Sequence, residues 1–331
     1  MVKATEKKVL ELIKRIKNGE RRALSQAITF TESTRKEHRE VAKGVLDKLY
    51  ANNDNTVRIA VSGTPGVGKS TFIESFGINL IKNGNNVAVL AIDPSSEGSG
   101  GSILGDKTRM ELLSKEKSAF IRPSPARGSL GGTNTRTQEA IILCEAAGFN
   151  IILIETVGVG QSETMASQMV DVFCLLLGPG GGDELQGVKR GIMEISDLIL
   201  VNKADGQLKK VAETTRSEYA KALQLFRRRQ VDPPLFPKVL TISSTEKSGL
   251  SDTWKEIETL ISWRKHSDLF FRIREEQKLS WFYREITNSV NLRIKNSEKI
   301  SKKKEEFERR IKEGLILPFN AAERLASEII K

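Results

Sequence analysis

The chain has 331 residues, 38% of them hydrophobic and 29% charged, with a net charge of +11. This composition supports a sizeable core and excludes general disorder, and no apolar run approaches the roughly 18 residues of a membrane span. Two cysteines and two distant histidines exclude a Cys/His metal cluster.

The first twenty residues mix acid and base without an apolar stretch, so neither a signal nor a transit peptide is expected. Cys144 and Cys174 sit in apolar runs, which suits buried thiols in a reducing cytoplasm. Residues 1–50 carry 13 basic and 7 acidic residues and read as a helical extension. Leu10, Ile13 and Ile16, then Val41, Val45 and Leu49, recur at helical spacing, and Asn18-Gly19 ends the first helix.

Residues 51–263 follow a different pattern. VRIAVS (57–62), NVAVLAID (86–93), SAFIRP (118–123), NIILIE (150–155), DVFCLLL (171–177), DLILVN (197–202) and KVLTIS (238–243) are short, β-rich runs. Most are apolar on both faces, as buried parallel strands must be. Helical or glycine-rich stretches separate them, so the expected fold is α/β, a mostly parallel sheet flanked by helices. Residues 264–331 return to helix, with 17 basic and 11 acidic residues. Leu279, Phe282, Ile286, Val290 and Ile294 form one stripe. Gly314 and Pro318 punctuate, and Asn320 with Glu323 resembles a capping box for a last helix bearing Leu325 and Ile329. Acids interrupt nearly every basic run, as in KKKEEFERR (302–310), so both flanks read as solvated helix faces and nucleic acid is not an expected partner.

The chemistry starts after the first strand. Gly63-Thr64-Pro65-Gly66-Val67-Gly68-Lys69-Ser70 matches GxxxxGK[ST], follows a strand and precedes a helical stretch that begins with Thr71. Glycines let backbone N–H groups converge on phosphates, and the helix N-terminus adds partial positive charge. Lys69 is placed to reach the β and γ phosphate oxygens, and the Ser70 hydroxyl can ligate Mg²⁺.

Asn202-Lys203-Ala204-Asp205 follows the sixth strand and reads as a guanine site. A carboxylate at Asp205 can accept from guanine N1–H and the exocyclic amine. Facing adenine it would be left unpaired, a cost of a few kcal/mol. Lys203 can lie along the base, and Asn202 can tie loops together. Ser243-Ser244-Thr245, after the seventh strand, stands where a second base-contacting turn is expected; the backbone N–H of Ser244 can serve there.

Acids at strand ends line the ligand crevice of an open α/β sheet, and Asp93, Asp106 and Glu155 are positioned to hold Mg²⁺ directly or through its waters. Glu155-Thr156-Val157-Gly158 is an ExxG variant of a DxxG switch, whose glycine N–H contacts the γ-phosphate, and Gln161 is a candidate for orienting water. Two glycine-rich stretches, 93–110 and 178–191, carry charged groups and read as nucleotide-dependent switches. Lys189 or Arg190 is suited to reach the phosphates or an acid on a partner, as a cation does in GTPases.

Over nearly its whole length the sequence resembles the MeaB (ArgK-type) GTPases. The resemblance rests on GERRALSQAIT (19–29), SGTPGVGKSTFIE (62–74), AIDPSS…GGSILGDKTRM (91–110), ETVGVGQSE (155–163), GPGGGDELQGVKRGIMEISDLILVNKADG (178–206) and LPFNAAERL (317–325). It implies a P-loop GTPase that chaperones an adenosylcobalamin-dependent acyl-CoA mutase, typically methylmalonyl-CoA mutase, by gating cofactor loading and protecting the mutase. The implied bound groups are GTP or GDP and Mg²⁺, with no tightly held cobalamin on this chain. The resemblance puts Lys69 on phosphate, Ser70, Asp93 and Asp106 near Mg²⁺, and Glu155 in the second switch. It makes 178–191 an extra switch facing the mutase through Asp183, Gln186 and Lys189. It also implies a homodimer formed partly by the C-terminal helices of 264–331. A competing family label is a kinase serving amino-acid transport, and a related nickel metallochaperone class is disfavoured by the lack of His-rich or Cys-rich motifs.

Overall fold

The structure is a computed structural model that describes residues 2–51, 53–92, 110–124, 130–156, 161–180, 190–226 and 229–329. All seven apolar runs become strands: β1 Val57–Gly63, β2 Val87–Ile92, β3 Ala119–Ser124, β4 Ile151–Thr156, β5 Val172–Leu177, β6 Leu198–Val201 and β7 Lys238–Thr241. They form one sheet in the order β3-β2-β4-β1-β5-β6-β7, every pair parallel. β5 and β6 are buried at every position, which is why both runs read as continuously apolar.

The helices are α1 Val2–Lys17, α2 Arg21–Glu32, α3 Lys36–Leu49, α4 Lys69–Lys82, α5 Glu111–Lys115, α6 Leu130–Ala146, α7 Gln161–Ser167, α8 Arg190–Ile195, α9 Lys209–Leu223, α10 Leu250–His266, α11 Leu269–Asn296, α12 Glu298–Lys312 and α13 Pro318–Ile329. One face of the sheet presents Ile59, Val61, Leu153 and Cys174 to Phe72, Phe76 and Leu80 of α4 and to Ile257 and Leu260 of α10. The opposite face presents Ala60, Ile152, Ile154 and Phe173 to Ile141 and Leu143 of α6 and Ala166 of α7, with the α1–α3 bundle packed beyond. That bundle corrects one expectation: Val9, Leu12 and Ile16 of α1 are buried, whereas Leu10 is 52% exposed. The inward line runs through Val9, Leu12 and Ile16, at i, i+3, i+7, with the expected Ile13 partly buried against the core, so only Leu10 departs from the expected stripe.

Residues 1–277 form one compact unit and 278–331 a second, with α11 running across the division. The division falls later than the sequence boundary at 263 because the first turns of α11 belong to the first unit. Arg274 and Gln277 are buried there, on Asp171 and on the carbonyl of Val170. In the second unit α12 and α13 are joined by a Lys303–Glu328 ion pair. Here the expected capping box is not formed. Pro318 is the first residue of α13, which places Asn320 inside the helix; proline fits that first position because its missing N–H is not needed there.

Candidate functional site: a phosphate loop joined to a base site

β1 lies between β4 and β5 at the centre of the sheet, and its C-terminal end opens the crevice where such sheets bind ligands. The loop from Gly63 to Gly68 turns there into α4. Gly63 has φ 147°, and a Cβ on it would sit 2.3 Å from the carbonyl oxygen of Leu176. Gly68 has φ 92°, and a Cβ there would sit 2.8 Å from Nδ2 of Asn202. A side chain at Gly63 would force the backbone apart, and one at Gly68 would displace the Asn202 amide and strain a left-handed backbone. Gly68 also brings no side chain to cap α4, so the amides of the first turn are not taken by a capping group.

Lys69 Nζ donates to the carbonyls of Gly63 (2.8 Å) and Thr64 (3.1 Å). Burial lowers the pKa of this amine, while the carboxylates of Glu155 and Glu163 oppose the shift. The Ser70 hydroxyl donates to Glu155 Oε1 at 3.1 Å, which joins the phosphate loop to the end of β4. A hydroxyl and a carboxylate this close are hard oxygen donors, the set that suits Mg²⁺. Among the described residues no group of three or more His, Cys, Asp or Glu side chains could hold a metal on its own. Thr71 is exposed on the first turn of α4.

The candidate base site is tied directly to the phosphate loop. Asn202 is 2% exposed. Its Nδ2 donates to the carbonyl of Val67 (2.9 Å), and its Oδ1 accepts from the N–H (3.1 Å) and hydroxyl (2.8 Å) of Ser244. An alanine at 244 would lack the hydroxyl bond. Lys203 holds a left-handed backbone, φ 58°, and its Nζ donates to the carbonyl of Gly66 (2.8 Å), so its stem lies across the phosphate loop. The Asp205 carboxylate accepts from the Ser243 hydroxyl, which in turn accepts the N–H of Glu246 at 3.0 Å. The Ser75 hydroxyl of α4 donates to the carbonyl of Ser244 (2.8 Å), and Thr245 is exposed beside it.

The structure therefore brings together Gly63–Thr71, Glu155, Asn202, Lys203, Asp205 and Ser243–Thr245. Asp93, Asp106, Gly158, Asp183, Gln186 and Lys189 lie outside the described residues, and Gln161 is described in its backbone alone, as the first residue of α7. Arg190 opens α8, pairs with Glu194 at 3.0 Å and lies 5.3 Å over the ring of Phe226.

Sequence reasoning missed the groups that support this frame. Glu163 on α7 is 1% exposed and acts electrostatically on Lys69. Ser75 orients the base turn from α4, whereas Ser243, expected in that turn, bonds Asp205; the expected phosphate-loop residue Thr64 and the neighbouring Thr156 carry buried hydroxyls that have no hydrogen-bond partner among the described residues. The ETVGVGQSE stretch contained the signal for Glu163, an acid on the helix after the switch.

A family model described as "Methylmalonyl Co-A mutase-associated GTPase MeaB" matches residues 24–299. GTPase ArgK of Escherichia coli is 45% identical over 285 residues, 86% of each chain. The mouse protein named methylmalonic aciduria type A homolog, mitochondrial, is 44% identical over 317 residues, 93% of this chain and 76% of its own. A solved structure described as LAO/AO transport system kinase superposes with a TM-score of 0.75 at 34% identity, covering 98% of this chain and 99% of that one.

Proposed function

The chain belongs to the family of MeaB GTPases, and from that premise we propose that it serves an adenosylcobalamin-dependent acyl-CoA mutase as a GTP-driven chaperone. It has the P-loop GTPase fold, binds guanine nucleotide and hydrolyses GTP, as its relatives' names state. The mutase reading is supported by the description of the family model, which covers 24–299, and by the name of the mouse relative. Methylmalonyl-CoA mutase is the proposed partner, gated in cofactor loading and protected from inactivation, with the cobalamin held by the mutase. The observation that carries the guanine-driven part is the Asn202 bridge. One buried amide joins the phosphate loop to the Ser243–Thr245 turn, so base and phosphates are read by a single connected frame.

Bound Mg²⁺ would neutralise charge between the β and γ phosphate oxygens. Ser70 and Glu155 are the proposed protein oxygens near it, with Asp93 and Asp106 as the further acids. Lys69 exchanges its two carbonyl partners for phosphate oxygens. Gly158 is proposed to contact the γ-phosphate, and Lys189 to link partner docking to hydrolysis. The proposed organisation is a helical extension at 1–50, a GTPase domain at 51–263 and a helical region at 264–331 through which two copies pair. The setting proposed is cytoplasmic; no helix among the described residues is long and apolar enough to cross a membrane.

The test is GTP turnover by the purified chain with and without purified methylmalonyl-CoA mutase. Slow hydrolysis alone and faster hydrolysis with the mutase is the expected result, with Lys189→Ala losing most of the stimulation while keeping GTP affinity. No stimulation, together with no nucleotide-dependent binding to the mutase, would defeat the reading. A transport-associated kinase is the second reading, favoured by the description of the solved structure at TM-score 0.75. It predicts phosphate on a protein acceptor, whereas the chaperone reading predicts free phosphate alone.

A further inference from the structure

A serine inside a helix ordinarily turns its hydroxyl back to a carbonyl of the preceding turn, and alanine suits such a position better. Ser75 departs from that habit. It lies in the second turn of α4, the helix that opens with Lys69 and Ser70, and is flanked in sequence by the buried Phe72, Ile73 and Phe76. It is 9% exposed, and its hydroxyl leaves the helix to donate to the carbonyl of Ser244 at 2.8 Å. One turn on, Asn79 Nδ2 donates to the Ser251 hydroxyl at 3.2 Å. Both bonds run from α4 to the turn after β7 and the start of α10.

Two backbone bonds between Ser243 and Ser248, each 3.1 Å, close that turn over 244–247. Ser244 is 3% exposed and is held from two elements: Asn202 Oδ1 accepts its N–H and its hydroxyl, and Ser75 donates to its carbonyl. The peptide that carries this carbonyl is trans, so fixing the oxygen also fixes the direction of the Thr245 N–H, which points the opposite way. The N–H groups of Ser244 and Thr245 are the donors this turn can offer to a carbonyl oxygen on a base. We propose that Ser75 is a positioning residue for guanine recognition: from the phosphate-binding helix it sets the peptide planes at Ser244 and so aims the turn that meets the guanine carbonyl. The inference rests on the reading of Asp205 and Ser243–Thr245 as the base site. It makes α4 a second tie between the grip on the phosphates and the grip on the base, beside the Asn202 bridge, so that a nucleotide leaves only when both grips yield.

The experiment uses the full chain and measures equilibrium binding of two ligands: GTP, and 2-aminopurine riboside triphosphate, which keeps the exocyclic amine and the phosphates but has no oxygen at the 6-position. Ser75→Ala is expected to weaken GTP about fivefold, the worth of one neutral hydrogen bond, while binding of the analogue stays within about twofold of the parent. GDP should dissociate faster by about the same factor, since such losses fall mostly on release. Alanine is the better helix former, so α4 itself is not weakened by the change. Ser75→Thr keeps the hydroxyl and should stay within about twofold of the parent for both ligands. A Ser75→Ala variant with parental GTP affinity overturns the proposal. So does an equal loss for GTP and the analogue, which is what a merely structural role would give, and so does a Ser75→Thr variant with the selectivity of Ser75→Ala. Asp205→Asn measured alongside with GTP and xanthosine triphosphate separates the two readings: parental preference there defeats the base site, whereas the Ser75 variants judge the tie from α4.

Discussion

Asp205 is held ready by its neighbours: its carboxylate takes the Ser243 hydroxyl, and that hydroxyl is oriented by the N–H of Glu246. The carboxylate remains an acceptor toward a base that offers two donors, as guanine does. Asp205→Asn should weaken GTP about 10–100-fold, the worth of charge-assisted hydrogen bonds, and should favour xanthosine triphosphate, whose extra carbonyl accepts from the new amide. Competition binding with both nucleotides checks this, and equal affinity of the parent for GTP and ATP would contradict the base reading. Lys69 is the cation of the phosphate loop, half-buried and bonded to the carbonyls of Gly63 and Thr64. Lys69→Ala should cost about 10²–10³ in single-turnover hydrolysis rate, and a loss below about tenfold would argue against the site. These residues were legible in the sequence because backbone geometry demands fixed spacing within one loop. Ser75 and Glu163 were not, since each acts across the fold on a partner that no local pattern announces.

Elements are joined at the far end of the sheet by buried ion pairs. Asp171, at the start of β5, takes Arg274 of α11 at 2.8 and 2.7 Å and also accepts the N–H of Arg58 at 2.8 Å. Asp197, at the start of β6, takes Arg264 of α10 at 2.6 Å and Arg229 at 2.8 Å. Burial alone would raise the Asp171 pKa, but the Arg274 guanidinium and the Arg58 contacts hold it below the ordinary 3.8. A carboxylate depressed in the folded state stabilises above its unfolded pKa, and that stability is lost as pH falls through the folded value. Arg274→Ala strands a buried carboxylate and should cost about 3–5 kcal/mol at neutral pH. Asp171→Asn should also destabilise at neutral pH, but its stability should fall less steeply than the parent's below pH 3.8, as denaturant melts at several pH values would show. An Asp171→Asn curve parallel to the parent's would remove this pair from the acid response. The strands were legible because a run buried on both faces leaves a continuous apolar signature. The Asp171–Arg274 pair joins residues 103 positions apart, and the start of α13 was misread because Pro318 claims the first helical position ahead of Asn320.

At the scale of the whole molecule, the second unit leaves a face uncovered. Along α11 Leu279 is 52% exposed, Phe282 58%, Ile286 46% and Val290 44%, and further along Leu315, Leu317 and Phe319 are 66–70% exposed. Single exposed apolar residues are ordinary, but four at helical spacing on one stripe form the face that an amphipathic helix buries. None of α12 has a buried residue, and in α13 only Ala321 is buried, so this unit supplies little core of its own. A second copy of the chain offers the same stripe, and a two-fold pairing would cover both at once. The expected state is a dimer by analytical ultracentrifugation. Phe282→Glu with Ile286→Glu puts two carboxylates on the stripe, where pairing would desolvate them without partners, and should yield a monomer. Both positions are exposed in the single chain and remote in sequence from Lys69 and Asp205, so the monomer should bind GTP with parental affinity. A parent that sediments as a monomer, or a double variant that remains a dimer, would place any self-association on another surface.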